Sequence, residues 1–127
     1  MAIGSDADVV VAREKGRTLA AQCGFSSTDL TVIATAISEL ARNIVRYAVR
    51  GEIILRLIEE DGRRGVEVVA TDNGPGIPDV ALAMQDGYST SRSLGLGLPG
   101  VRRLMDEFEI ASESGMGTTI TLRKWKG

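Results

Sequence analysis

The chain has 127 residues, a formal net charge of −2, 43% hydrophobic residues and 25% charged residues. These values are typical of an ordinary globular protein, and we treat residues 1–127 as one domain. The slightly negative charge provides no basic field for a phosphate backbone, which argues against nucleic acid as the main partner. No apolar run could span a bilayer and no signal-peptide pattern is present, so we expect a cytoplasmic protein with no membrane partner.

Cysteine and histidine content excludes several kinds of site. Cys23 is the only cysteine, and the chain contains no histidine. An internal disulfide, a Cys/His zinc site, and a serine or cysteine nucleophile activated by an imidazole of the same chain are therefore all excluded.

Two helices are predicted in the first half of the chain. Ser5 begins a capping-box pattern for a helix that should end near Gly24. Ser26 begins the same pattern for a second helix, from about Ser27 to Val49. Apolar residues three and four positions apart predict the buried stripe of this second helix: Ile33, Ile37, Leu40, Ile44 and Ala48.

Two β-hairpins are predicted further along the chain. Strands at Ile53–Ile58 and Val66–Thr71 flank a glycine-containing connection, and strands at Phe108–Ser112 and Thr118–Leu122 flank a second glycine turn. The first of these strands is apolar at nearly every residue, so we expect it inside the sheet and covered on both faces.

The segment between the hairpins contains a possible short helix at Asp79–Met84, a loop at Gln85–Leu94 and a further helix whose first turn holds Pro99. Taken together, the elements predict a two-layer α/β sandwich, with helices on one face of a mixed, mostly antiparallel sheet.

The second helix carries a pair of polar residues that could do chemistry. Glu39 and Asn43 are four residues apart, so their side chains project from the same face. An amide oxygen suits Mg²⁺, and a carboxylate beside it can accept a proton from a hydroxyl group. The alternative is that both residues belong to a solvated helix face.

A glycine turn after the second predicted strand suggests a base-binding site. In Asp72-Asn-Gly-Pro-Gly76, Asp72 could accept a hydrogen bond from the exocyclic amine of adenine, while Gly74 and Gly76 let the backbone approach the base. Such a contact would favour ATP over GTP, because a keto oxygen has no proton to share with the carboxylate. The alternative is a simple turn.

Two further glycine-rich segments could complete a nucleotide site. Gly95-Leu-Gly-Leu-Pro-Gly100 precedes a predicted helix, whose amino terminus could hold phosphates, although the segment is not a Walker A loop. Gly115-Met-Gly-Thr118 reads by itself as a hairpin turn, and only the other segments make Thr118 a candidate for the adenine pocket. Surface arginines that could reach the phosphates are Arg42, Arg46 and Arg92.

In this order, the four segments resemble the N, G1, G2 and G3 boxes of the GHKL superfamily, which has the Bergerat ATP-binding fold. The resemblance covers essentially the whole chain. Within the superfamily, the chain most resembles the serine/threonine kinases of bacterial sigma-factor partner switching, and in particular the switch kinases of the stressosome. Histidine kinases of the superfamily need a phospho-accepting histidine, which this chain lacks.

The resemblance implies both an activity and a set of site residues. It implies ATP and Mg²⁺ as cofactors, phosphorylation of Ser or Thr on STAS-domain scaffold and antagonist proteins, and later activation of a PP2C-type phosphatase. It assigns the general base to Glu39, the Mg²⁺ ligand to Asn43 and a flexible ATP lid to 85–94. The nucleotide-binding residues that it implies are Asn43, Asp72, Gly74, Gly76, Ile77, Gly95, Leu96, Gly97, Leu98 and Thr118.

A second functional class remains open. The chain could be a nucleotide-dependent binding switch, such as an anti-sigma factor or a phosphatase activator, with little catalysis. The presence of both Glu39 and Asn43 favours a kinase, since a pure binder would not require that pair.

Overall fold

A computed structural model of the chain describes residues 1–48, 50–74, 97–113 and 117–126. The described helices are α1 (Asp6–Cys23), α2 (Ser27–Asn43) and α3 (Gly97–Leu104), and a π-helical segment, Ile44–Ala48, follows α2 directly. The described strands are β1 (Ala2–Ile3), β2 (Gly51–Glu60), β3 (Arg63–Asp72), β4 (Glu107–Glu113) and β5 (Gly117–Trp125). The short helix predicted at 79–84 and the loop predicted at 85–94 lie outside the described residues.

The predicted starts of the first two helices are confirmed. Ser5 and Ser26 are the N-caps, and each side-chain oxygen accepts a hydrogen bond from the backbone N–H three residues later. Helix α1 ends at Gly24, whose φ of 90° gives the left-handed cap that glycine adopts most readily. These caps satisfy backbone groups that the helix ends would otherwise leave without partners.

The five described strands form one sheet in the order β1-β2-β3-β5-β4, and each of its pairings is antiparallel. The predicted fold class, helices packed on a mostly antiparallel sheet, is confirmed. β2 and β3 are longer than predicted, because the connection between them is only the two-residue turn Asp61-Gly62. Both turn residues have positive φ values, 52° and 78°, as the tightest hairpin turns require.

The prediction that β2 is buried on both faces is wrong. Only Ile53 of this strand is buried, whereas Ile54 is 44% exposed and Leu57 is 49% exposed. Ile54 lies on the same face of the sheet as Arg56, which is the outer face that the helices do not cover. The apolar run on β2 therefore does not indicate a central strand.

The core lies between the helices and the inner face of the sheet. β3 contributes Val66, Val68 and Ala70 to this layer, and their register partners on β5 include Leu122 and Ile120, which are also buried. Among the described residues, no helix is both long and apolar enough to cross a membrane.

A row of alternating charges crosses the outer face of the sheet. Arg56, Glu67, Arg123 and Glu107 occupy directly paired positions on β2, β3, β5 and β4. The Glu67 carboxylate accepts hydrogen bonds from Arg56 Nε at 2.9 Å and Arg123 Nε at 2.9 Å, and Arg123 also reaches Glu107. At the end of the row, the indole N–H of Trp125 donates a hydrogen bond to Glu107. The row thus ties four strands together through side chains.

The charge row should make the stability of the protein depend on pH. Burial alone would raise the pKa of the Glu67 carboxyl, but hydrogen bonds from Arg123 and Arg56 outweigh that effect and hold the pKa below its usual value. The ionised form is therefore favoured by folding. The stability that the ionised Glu67 contributes is fully present when the pH is above the pKa of Glu67 in the unfolded chain. It is lost as the pH falls through the lower pKa of the folded state.

We predict that Glu67→Gln lowers the free energy of unfolding at pH 7 by about 2 kcal/mol, because two arginines lose a buried charged partner. Below about pH 4.5 the difference from the unmodified protein should shrink, which urea titrations at several pH values would measure. Glu109→Gln, on an exposed position of β4, is the control and should have little effect. A constant Glu67→Gln deficit across the pH range would contradict the prediction.

Candidate nucleotide and catalytic site

Glu39 lies in a part of α2 that is buried on all sides. Six consecutive residues, Ala36–Ala41, are buried, and Glu39 itself is only 3% exposed. Its Oε1 accepts a hydrogen bond from Arg42 Nη1 at 2.6 Å, while the Arg42 side chain is 41% exposed. The alternative of a solvated helix face is therefore wrong for Glu39. The buried carboxylate is therefore paired with a guanidinium group whose side chain is partly exposed to solvent.

Asn43 is the last residue of α2 and is half-buried, one helical turn after Glu39. The backbone changes to a π-helix at the next residue, Ile44. Such segments are rare and occur frequently at functional sites, because they alter the direction of the side chains that follow. Sequence reasoning did not predict this change, since the apolar spacing continues through Ala48. Arg46, within the segment, is exposed.

Asp72 is the last residue of β3, and its side chain shapes the turn that follows. Asp72 Oδ1 accepts a hydrogen bond from the backbone N–H of Gly74 at 2.9 Å. This contact leaves Oδ2 as a further acceptor, because an ionised carboxylate has two oxygens. Asp72 is directly paired with Thr118 on β5, so the two side chains lie on the same face of the sheet.

Thr118 is buried and has a hydrogen-bonding neighbour that sequence reasoning missed. Ser112 of β4 is its register partner on the other side, and the oxygens Ser112 Oγ and Thr118 Oγ1 are 2.8 Å apart. Ser112 Oγ also donates to the carbonyl oxygen of Gly117 at 3.2 Å. The strand register would have identified Ser112, but the predicted hairpin did not specify the register.

Close backbone packing joins the Asp72 turn to α2 and to β5. A Cβ on Gly74 would lie 2.7 Å from the Cβ of Ala48, in the π-helical segment. A Cβ on Gly117 would lie 2.1 Å from the carbonyl oxygen of Asp72. Glycine therefore allows the helix that carries Glu39 and Asn43, the end of β3 and the start of β5 to come together.

Gly97 and Leu98 form the start of α3, which follows the predicted phosphate segment. Leu98 is buried, as is Val101 one turn later, so the helix start is packed against the core. At the other end, Lys124 Nζ of β5 donates to the carbonyl oxygen of Leu104 at 3.2 Å. A cation at a helix C-terminus is favourable, and the contact fixes α3 relative to the sheet.

The other predicted nucleotide contacts, Gly76, Ile77, Gly95 and Leu96, lie outside the described residues, as do Arg92 and the predicted lid. Within the described ranges, no group of three or more His, Cys, Asp or Glu residues could hold a metal ion. Asn43 could supply one amide oxygen. That donor set fits Mg²⁺ bound mostly by nucleotide oxygens and water, rather than a metal in an all-protein cage.

The chain belongs to the histidine kinase-like ATPase domain family, whose model matches residues 5–124. Membership of this family implies the use of ATP. A curated relative, serine/threonine-protein kinase RsbT of Bacillus subtilis, is 52% identical over 118 residues, which cover 93% of this chain and 89% of the relative. Identity of this extent supports protein serine/threonine kinase activity and a partner-switching kinase of the RsbT type.

More distant relatives are anti-sigma F factors. The one from Caldanaerobacter subterraneus subsp. tengcongensis is 33% identical, with 91% of this chain and 84% of the relative covered. The one from Geobacillus stearothermophilus is also 33% identical, with 82% of this chain and 75% of the relative covered. The alternative of an anti-sigma factor with little catalysis fits these weaker similarities less well than a kinase fits the 52% match.

The packing of Gly117 predicts a difference between two glycine substitutions. Gly117 and Gly62 have similar positive φ values, 88° and 78°, but a Cβ on Gly62 would meet nothing within 4 Å. Gly62→Ala should therefore cost only the backbone strain, about 1 kcal/mol. Gly117→Ala should cost about 2 kcal/mol more, since Asp72 must also move. Urea unfolding measures both variants, and equal losses would contradict the proposed packing.

Proposed function

We propose that this chain transfers the γ-phosphoryl group of Mg·ATP to a serine or threonine of STAS-domain scaffold and antagonist proteins, as part of a bacterial stress response. In the same proposal, the kinase released after phosphorylation binds and activates a PP2C-type phosphatase. The observation that carries the kinase chemistry is the buried Glu39 carboxylate, held beside Arg42 one turn from Asn43. Since ATP is supplied inside the cell, the proposal places the protein in the cytoplasm.

Glu39 is the proposed general base. The hydroxyl oxygen of the acceptor protein forms a bond to the γ-phosphorus, the bond from that phosphorus to the β,γ-bridging oxygen breaks, and ADP leaves with the electron pair. Glu39 takes the hydroxyl proton in this step. The contact with Arg42 supports this role, because it holds the buried carboxylate at a fixed place, and a general base must lie within hydrogen-bond reach of the proton that it takes.

Asn43 is the proposed metal ligand, through its amide oxygen. When bound there, Mg²⁺ would neutralise part of the charge on the phosphates. Asp72 and Thr118 are proposed to bind the adenine base, and the helix start at Gly97 and Leu98 to border the phosphates together with Gly95 and Leu96. Gly74, Gly76 and Ile77 are proposed to line the base. The lid at 85–94 is proposed to close over the nucleotide.

The first experiment is transfer of γ-labelled phosphate from Mg·ATP to purified STAS-domain proteins, with the modified residue located by mass spectrometry. A stoichiometric phosphoserine or phosphothreonine on one of them would support the proposal and identify its substrate. Confirmed ATP binding without transfer to any STAS protein would instead favour the nucleotide-dependent binding switch. The anti-sigma F factor relatives are the reason to keep that outcome in view.

Glu39→Gln should reduce phosphate transfer at least about 100-fold, because the amide cannot accept the hydroxyl proton. The affinity for ATP should change less than about threefold, because the base contacts the acceptor hydroxyl rather than the nucleotide. The glutamine keeps an oxygen for Arg42, so the variant should fold. Glu14→Gln, at an exposed position of α1, is the matched control. Full transfer activity in Glu39→Gln would show that the base assignment is wrong.

Asp72→Asn should weaken ATP binding about tenfold or more, because the amide replaces a charged acceptor and can present a donor to the adenine amine. Isothermal titration calorimetry gives the dissociation constant directly. Asp106→Asn is a poor control, since Asp106 Oδ2 accepts from the backbone N–H of Trp125. Asp6→Asn, exposed in the first turn of α1, is better. Unchanged ATP affinity in Asp72→Asn would show that Asp72 does not bind the adenine base.

A further inference from the structure

We propose that Ser112 is a positioning residue for nucleotide selection, because its hydroxyl group determines which way the Thr118 hydroxyl points its proton. The inference rests on the proposed adenine pocket at Asp72 and Thr118. It adds a residue that lies one strand away from the proposed base contacts, and it assigns that residue an effect on purine specificity rather than on the fold.

The three side chains lie in one row across the sheet. Asp72 on β3 is paired with Thr118 on β5, and Thr118 is paired with Ser112 on β4. Directly paired residues of antiparallel strands have their side chains on the same face. Ser112 therefore approaches Thr118 from the side opposite to Asp72, and the 2.8 Å distance between the two hydroxyl oxygens is that of a hydrogen bond.

Either hydroxyl could be the donor in that hydrogen bond, and the second contact of Ser112 is the basis for assigning its direction. A hydroxyl group has one hydrogen to donate, and a carbonyl oxygen can only accept. Ser112 Oγ donates to the carbonyl oxygen of Gly117, at 3.2 Å. Both contacts form at once only when Ser112 accepts from Thr118, and the proposal assigns the hydrogens in this way. The Thr118 hydrogen thus points to Ser112, and Thr118 Oγ1 has only lone pairs left for a ligand.

The pocket consequently presents acceptors from two neighbouring strands. Asp72 Oδ1 already accepts from the N–H of Gly74, and Oδ2 is an acceptor as well. An exocyclic amine has two hydrogens and can satisfy two acceptors, whereas a 6-oxo group has none. Because Thr118 is buried, an acceptor left facing an oxo group is costly. This arrangement selects a 6-aminopurine over a 6-oxopurine.

Loss of the Ser112 hydroxyl should relax this selection. Without an acceptor at position 112, the Thr118 hydroxyl can rotate and donate its hydrogen to a 6-oxo group. Binding of a 6-oxopurine nucleotide should then improve, while binding of ATP weakens because one of its two acceptors is no longer oriented. The two effects act in opposite directions on the two nucleotides, which a general loosening of the strands would not produce.

The test compares ATP and inosine triphosphate by isothermal titration calorimetry on the full chain; the second nucleotide has an oxo group in place of the 6-amine and a hydrogen on the adjacent N1. In Ser112→Ala, we expect the preference for ATP over inosine triphosphate to fall about tenfold, with inosine triphosphate binding more tightly than to the unmodified chain. Ser112→Cys, which is close in volume and a weak acceptor, should shift the preference in the same direction. Ser112→Thr keeps the hydroxyl and should retain the preference.

Two further variants separate a positioning role from a structural one. Thr121→Val removes a hydroxyl from the outer face of the same strand, β5, and should leave the preference unchanged. In the background of Thr118→Val, Ser112→Ala should have no additional effect on the preference, because Ser112 acts through Thr118. Additive effects of the two substitutions would overturn the proposal.

The outcome also distinguishes this inference from the proposed function. If the unmodified chain binds neither nucleotide, the proposed ATP site itself fails. If the chain binds ATP with a clear preference, and Ser112→Ala and Ser112→Cys both leave that preference unchanged, only the role of Ser112 fails and the proposed kinase function stands.

Discussion

The burial of α2 along a complete turn is the constraint on which the rest of the structure depends. Helices of a two-layer fold usually expose one side, but Ala36–Ala41 is enclosed all round. An ionised carboxylate inside such a segment needs a charged or hydrogen-bonding partner, because removing it from water is unfavourable. Arg42 supplies that partner while its own side chain reaches solvent. Glu39 is thereby kept in the interior at a defined place, next to the part of the helix that ends at Asn43.

The π-helical segment after Asn43 links this helix to the opposite side of the site. Ala48 lies at the end of the segment and packs against Gly74, just after Asp72. The segments that carry the proposed catalytic residues and the proposed base-binding residues are therefore in direct contact. A displacement of the end of α2 would be transmitted to the Asp72 turn through that contact, because Gly74 has no room for an added methyl group beside Ala48.

Local rules predicted much of the fold, whereas the roles of the candidate site residues remain predictions. Ser5, Ser26 and Gly24 have cap chemistry that depends only on neighbouring residues, so the sequence was sufficient to predict both ends of α1 and the start of α2. The exposure of β2 depends on which face of the sheet the helices cover, and the contact of the Ser112 hydroxyl depends on the register between β4 and β5. None of these has a periodic signal in the sequence. The π-helix could not be predicted either, because apolar residues three and four positions apart indicate an ordinary α-helix.

The order of the strands has a consequence for how the molecule assembles. β2 with β3 and β4 with β5 are each hairpins of neighbouring segments, so each can form with little loop entropy. The pairing of β3 with β5 joins residues far apart in sequence and connects the two hairpins into one sheet. We therefore expect this pairing to form slowly during folding and at a high cost in chain entropy. Asp72 and Thr118 are directly paired residues of these two strands. A nucleotide held by both would bridge the two hairpins, so its binding would stabilise the pairing that completes the sheet.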